Sequence, residues 1–220
     1  EISACLVGSE MCIRDRDIDA TPTGYLSTVL DNNENEIATL VASGSNRVYV
    51  TIDEIPKDLQ HAFVAIEDER FYDHNGIDLQ GILRAGVRGI THGFHFSEGA
   101  STITQQLLKN NVFTGWTSES SFSDKLERKL QEQYLAVQLE KSVSKDWILE
   151  NYLNSINLGQ NTLGVQSASR RYFNKDVSEL NISESAVIAA ITQNPSRYNP
   201  VSNPDQNKKP VSYTHLRAHE

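Results

Sequence analysis

A mainly α-helical domain behind a short β-rich N-terminal segment is the fold this sequence predicts. Three observations predict it. From Pro56 onward, apolar residues recur at three- and four-residue spacing, the period of an amphipathic helix. Capping residues (Asp, Thr or Ser) stand just before several of these runs. Before Pro56 the pattern changes to short β-prone runs around a turn-rich cluster.

The elements follow in order. Tyr25 to Val29 and Glu36 to Val41 are β-prone, and Asp31-Asn32-Asn33-Glu34-Asn35 between them favours a turn, so a hairpin is expected. Arg47 to Ile52 reads as a further strand. The helix opened by Pro56 places Leu59, Phe63 and Ile66 on one face. Asp78 can cap a helix carrying Leu79, Ile82, Leu83 and Val87. Thr102 and Gln105 have the spacing of a capping box, which opens a helix through Leu107 and Leu108. A long helix is predicted from Asp124 to Lys141. Ser144 caps the next, with Trp147, Ile148 and Tyr152, and the last clear helix runs from Ser183 to Thr192, before Pro195.

Hydrophobic residues make up 38% of the 220, and charged residues 22%, which suits a packed core. The net charge of -9 argues against a nucleic-acid partner, which would want a basic face. No apolar run reaches the roughly 20 residues that span a bilayer. The two ends read differently from the middle. Residues 1–16, with ACLVGSEMCIRDR from Ala4 to Arg16, and residues 210–220, PVSYTHLRAHE, resemble translated sequencing-adapter read-through. They are expected to be artefact and to pack against nothing. Cys5, Cys12 and Met11 lie in the first of them, so cysteine usage does not speak to redox compartment. The division expected is therefore a β-rich N-terminal segment over 17–55 and a helical domain over 56–209.

Three places could carry chemistry. Glu67-Asp68-Glu69 closes the Pro56 helix. A carboxylate at Glu67 meets the negative helix end and two further acids, which favour its protonated form and suit a general base or acid. A solvated acidic helix end fits the same spacing, and a lone His74-x-Gly76 is ordinary loop chemistry. Gly99 to Gln106 is unusually polar for a helix start; hydroxyls and free N–H groups there favour phosphate, and Lys109 lies on the face of Thr102. A plain capped helix fits equally. On the long helix, Leu126, Leu130, Tyr134 and Val137 make one apolar stripe. Arg128 and Glu132 lie opposite, in line with Leu135 and Leu139. That line-up suggests a cleft, with Arg128 ready for phosphate and Glu132 as a second carboxylate. A solvated i,i+4 salt bridge is the alternative.

These segments carry a resemblance. Glu67 through Gly76 (EDERFYDHNG) resembles the ED-x-x-F-x-x-H-x-G motif of the peptidoglycan glycosyltransferase (transglycosylase) domains of class A penicillin-binding proteins, the family 51 glycosyltransferases. Gly99 to Gln106 resembles that family's G-x-S-T-x-T-Q-Q motif, Arg128 to Glu132 its R-K-x-x-E, and Lys145 to Asn154 its K-x-x-I-L-E-x-Y-L-N. Arg171-Tyr172-Phe173 and the Pro195-Ser196-Arg197-Tyr198-Asn199-Pro200 run are similar to further family segments. The four motifs stand in family order over about Pro56 to Asn207. Ala100 replaces a usual glycine, as does Asn174 after Tyr-Phe; Asn accepts positive φ, so that turn is expected to survive.

The resemblance implies a lysozyme-like, two-lobed helical domain that polymerises lipid II onto a growing glycan chain outside the cytoplasmic membrane. It implies Glu67 as general base and Glu132 as the second catalytic carboxylate, positioning Arg128, a metal or the donor. Lys109, Arg128 and Lys129 would hold the pyrophosphate. Ser101, Thr102, Gln105, Gln106 and Asn110 would line the donor site, with Asp68, Phe71 and His74 supporting Glu67. Ile90 to Phe96 and Val112-Phe113 with Trp116 would meet the membrane surface, and an N-terminal transmembrane anchor would lie outside this chain. No cofactor is required, although a divalent cation (Mg2+ or Mn2+) at the pyrophosphate is compatible, and cell-wall synthesis machinery is a further partner. A lytic, glycan-cleaving enzyme would need no cations for pyrophosphate, and a non-catalytic wall scaffold would have no use for both Glu67 and Glu132.

Overall fold

The computed structural model describes residues 18–40, 46–91, 101–113 and 121–217. Among them are one two-stranded sheet and eight α-helices: α1 (Lys57–Glu67), α2 (Leu79–Thr91), α3 (Ile103–Asn111), α4 (Phe122–Ser142), α5 (Lys145–Ser155), α6 (Val165–Phe173), α7 (Ile182–Ile191) and α8 (Pro204–Arg217). The mainly helical class predicted from sequence is the class observed. The hairpin is present too, with β1 (Ser27–Leu30) antiparallel to β2 (Glu36–Leu40). Asp31 builds its turn, accepting from the Asn33 and Asn35 N–H groups at 2.7 and 2.8 Å.

Arg47 to Ile52 forms no strand; Arg47 alone makes an isolated bridge, to Leu163. Side chains of α5 stand where a partner strand would. Asn154 accepts from the Val50 N–H at 3.0 Å and donates to the Val50 carbonyl at 2.7 Å. Glu150 accepts from the Ile52 N–H at 2.6 Å. The backbone groups are satisfied without a sheet, so the extended pattern that reads as a strand is real while the ladder is not.

The caps act as the sequence suggests, with one exception. Asp78 accepts from the Gly81 N–H at 3.0 Å, and Ser144 from the Trp147 N–H at 3.1 Å. At α3 only half of the capping box forms: Thr102 accepts from the Gln105 N–H, but the Gln105 amide donates to the Gly76 carbonyl instead of turning back. Helices α6 and α8 extend the expected set. The last helix crosses the suspected boundary at 210, and Pro210 is buried. The other suspect end, residues 1–16, lies outside the described residues.

Helix α3 runs through the middle, packed on α4 and α5, while α1 packs on α7 and α8. Phe63, Phe71, Leu107, Leu108, Ile148 and Tyr152 are fully buried in the core they share. Phe63 and Tyr152 meet edge to face at 6.1 Å. Each large apolar side chain of this kind contributes roughly 1.5–3 kcal/mol by burial. On α4 the two stripes sort in an informative way. Leu126, Leu130 and Tyr134 are exposed, whereas Glu132, Leu135 and Leu139 are buried. The helix thus turns its charged pair inward, away from the apolar stripe that looks like a core face in the sequence. Among the described residues no helix is long and apolar enough to cross a membrane.

Candidate active site

Glu67 is the last residue of α1, because Asp68 leaves the helical conformation at φ -156°. The side chain is half-buried, and both carboxylate oxygens are held. Oε2 accepts from the Gln106 side-chain amide on α3 at 2.8 Å, and Oε1 accepts from the Thr192 hydroxyl just past α7. Gln106 is itself oriented, since its amide oxygen lies 3.5 Å from the Tyr152 hydroxyl on α5. Burial, and then the charges of Glu67 and Asp68, push the Tyr152 phenol well above its ordinary value. It therefore remains a donor, which fixes the Gln106 amide with its N–H toward Glu67. Four elements converge on one carboxylate.

The remainder of the first motif is a brace for this geometry. Asp68 is buried and accepts from the Ile103 N–H at 3.0 Å, one of the free donors at the start of α3. His74 Nε2 lies 2.9 Å from the same carboxylate, and His74 Nδ1 accepts from the Gly76 N–H at 3.2 Å. With Nδ1 accepting, Nε2 is the nitrogen that carries the hydrogen. Gly76 explains the His-x-Gly spacing. Its φ is +90°, and a Cβ there would stand 2.7 Å from the Ala136 carbonyl carbon and oxygen on α4. Its own carbonyl accepts from the Thr102 hydroxyl at 2.8 Å and from Gln105 at 3.2 Å. Phe71 is fully buried beneath the Lys145 ammonium, 4.4 Å from the ring centre. Lys145 pairs with Glu140 at 2.7 Å, and Glu140 accepts from Thr104 on α3 at 2.5 Å.

The second carboxylate is arranged differently. Glu132 is fully buried, with Arg128 on Oε1 and Lys129 on Oε2, the latter at 2.7 Å. Lys129 also donates to the Ser101 hydroxyl at 2.7 Å, directly before α3. One buried negative charge therefore gathers two cations beside the helix start. The solvated salt bridge that the spacing also allowed is not what forms.

Ser101 and Gln106 thus tie the two carboxylate centres to opposite ends of the first turns of α3. Lys109 follows Gln106 by three residues, so it shares the helix face that meets Glu67, and it is half-buried. Asn110 is exposed. Gly99, Ala100, residues 92–96 and Trp116 lie outside the described residues; Val112 and Phe113 pack partly buried against the core. Asn174 closes α6 at φ +53°, as its place in the sequence suggested. Two residues of the Glu67 shell were not assigned to the site from the sequence. Tyr152 was placed on its helix and in the fourth motif, but a buried tyrosine needs a polar partner, and that signal went unused. Nothing local marks Thr192, which lies 125 residues from Glu67.

A carboxylate held from several elements and a cation pair on a second, buried carboxylate thus flank α3 in a mainly α, lysozyme-like domain. The chain belongs to the transglycosylase family, whose pattern matches residues 33–218, and is the glycosyltransferase domain found in class A penicillin-binding proteins. It is 46% identical over 183 residues to penicillin-binding protein 1F of Bacillus subtilis, covering 83% of this chain and 24% of that protein. It is 48% identical over 179 residues to penicillin-binding protein 1A of Clostridium acetobutylicum, covering 80% and 22%. Against penicillin-binding protein 1A/1B of Bacillus subtilis the identity is 44% over 188 residues, covering 85% and 20%. The chain thus spans a quarter or less of the length of these relatives.

Proposed function

We propose that this domain polymerises lipid II into β-1,4 glycan strands with inversion at the anomeric carbon, releasing undecaprenyl pyrophosphate at the outer face of the cytoplasmic membrane. The observation that carries the reading is the division of labour across α3: Glu67 held for a proton at one end, and the Arg128–Lys129 pair on buried Glu132 at the other. Glu67 takes the proton from the acceptor sugar's 4-hydroxyl. The freed oxygen bonds to the donor's anomeric carbon as the bond to phosphate breaks, and the pyrophosphate departs with the electron pair and the lipid. Arg128 and Lys129, with Lys109, stabilise the charge that grows on the leaving group, where electrostatic help accelerates the reaction most. Ser101, bound to Lys129, and the exposed Asn110 are left for the donor side; Thr102 and Gln105, expected there from the motif, are instead buried on the Gly76 carbonyl, and Gln106 joins Asp68, Phe71 and His74 in keeping Glu67 in place.

Glu132 acts by positioning the cations. Both of its oxygens are occupied by them, so it offers no ready coordination to Mg2+ or Mn2+. Among the described residues no group of three or more His, Cys, Asp or Glu side chains is placed to hold a metal. A divalent cation, where one takes part, is expected on the diphosphate oxygens. The membrane surface and the wall-synthesis machinery are the partners this reading implies, with the anchor outside this chain.

The test is polymer formation from purified lipid II, with release of reducing ends from finished glycan as control. Glu67→Gln loses the general base and about 10²–10⁴-fold in rate. Arg128→Ala is severely slowed, and Arg128→Lys recovers part, because lysine keeps the charge without the planar fork. Normal polymerisation by Glu67→Gln or Arg128→Ala would overturn the proposal. So would a wild-type protein that cleaves finished glycan and makes none.

A further inference from the structure

The Thr192 hydroxyl faces two acceptors and has one hydrogen. It lies against Glu67 Oε1, and it is 2.8 Å from the Ala189 carbonyl in the last turn of α7. A hydroxyl donates once and accepts through its lone pairs, so only one of these contacts can be a donated hydrogen bond at a time. The other ligand of Glu67 has no such freedom. The Gln106 amide N–H, oriented by Tyr152, can only donate. Gln106 therefore suits the carboxylate and gains nothing when the group takes up a proton. The charged or titratable neighbours of Glu67 include Asp68, next in the chain, the Tyr152 phenol on α5, and Lys109 on the face of α3 that carries Gln106.

We infer that Thr192 is a positioning residue for the base, one that satisfies Glu67 both before and after proton transfer. This rests on the reading of Glu67 as general base. Before transfer, the hydroxyl donates to the Glu67 carboxylate. When Glu67 takes the proton from the acceptor hydroxyl, the new O–H donates to Thr192 Oγ, and the threonine hydrogen turns to the Ala189 carbonyl. No proton leaves the site in this exchange. The motions are rotations of two hydroxyl hydrogens, one about the Glu67 Cδ–Oε bond and one about the threonine Cβ–Oγ bond, so the heavy-atom geometry of the base stays constant through the step. Ala189 is fully buried, which keeps its carbonyl available to this hydroxyl. The backbone N–H of Thr192 already donates to it at 3.2 Å, and a carbonyl oxygen accepts two hydrogen bonds.

The experiment compares Thr192→Val, Thr192→Ala and Thr192→Ser with wild type in lipid II polymerisation, alongside Glu67→Gln. Removing a hydrogen bond to a charged group costs about tenfold to a hundredfold in rate. The valine and alanine variants should lose that much in kcat with KM within about twofold of wild type. The serine variant, which keeps the hydroxyl, should recover most of the rate. A loss shared by all three variants, or a loss confined to KM, would mean that Thr192 is only packing and would overturn the inference. Valine and alanine variants at full speed beside a dead Glu67→Gln would overturn it as well, leaving the base assignment standing. An active Glu67→Gln would instead remove the base itself. Thermal melting of each variant separates loss of rate from loss of fold.

Discussion

Replacing Glu132 by glutamine keeps the shape of the side chain and deletes the one negative charge between Arg128 and Lys129. Two cations would then face each other across a neutral amide, at a site where the glutamate is fully buried. Removing the charge that two cations share at a buried site costs up to about 3–5 kcal/mol, because their desolvation is no longer offset by that carboxylate. The lower end applies here, since the Lys129 side chain is 39% exposed and can turn to solvent, while Arg128 at 14% cannot easily do so. A loss of about 3 kcal/mol lowers the melting temperature of a domain of this size by about 6–12 °C. Calorimetry or circular dichroism at neutral pH reads that shift. Adding Lys129→Met to the glutamine variant removes one surplus cation and should recover part of it. A fall below about 2 °C for Glu132→Gln would refute the reasoning, for it would mean that the Glu132 charge does not hold this cluster together.

Two further outcomes follow from the braces around the site. Gly76→Ala should lose about 2–5 kcal/mol in urea unfolding, from a strained positive φ together with the clash on the α4 backbone, and a loss under about 1 kcal/mol would contradict the close approach. Burial pushes Asp78 up, but the Arg70 fork at 2.5 and 3.2 Å and the Gly81 N–H outweigh it and hold the group below its ordinary value. A carboxylate lowered in the folded state stabilises above its unfolded value, near pH 4, and that stability drains as pH falls through the folded value. Wild type should therefore lose melting temperature more steeply below about pH 4 than Arg70→Met, and parallel curves would dismiss the pair as a source of acid sensitivity.

The parts of this protein that were legible in its sequence are those determined locally. The starts of α2, α3 and α5 were marked by Asp78, Thr102 and Ser144, because a cap and the N–H that donates to it lie within a few residues. The turn at Asp31 was local in the same way. What escaped depends on distant partners. Arg47 to Ile52 has strand composition, yet Glu150 and Asn154, about a hundred residues on, decide that no sheet forms. On α4 the periodicity showed two stripes and could not rank them. Only Lys129, Arg128 and Ser101 around Glu132 explain why the stripe with charge is the buried one. Helix α8 was hidden by its polar opening and internal proline. The motifs located Glu67, Gln106 and Glu132, but the convergence on Glu67 needs α7, whose end carries no signal beyond an ordinary threonine.

The stretch before α1 bears on how far this catalytic unit can be trimmed. A division at Pro56 looks natural from composition, with an extended region on one side and helices on the other. The hydrogen bonds cross that line. Gln60 reaches back to the Ile52 and Ile55 carbonyls at 3.0 and 2.8 Å, Asn154 and Glu150 close on Val50 and Ile52, and the Leu163 N–H donates to Asn46 at 3.2 Å. A version cut at Pro56 would strand a buried amide and a carboxylate on α5, the same helix whose Tyr152 orients Gln106. Grafting the site into another scaffold, or making the smallest expressible version of it, therefore means carrying the chain from no later than Asn46. The irregular ribbon is part of the helical body's interior wiring.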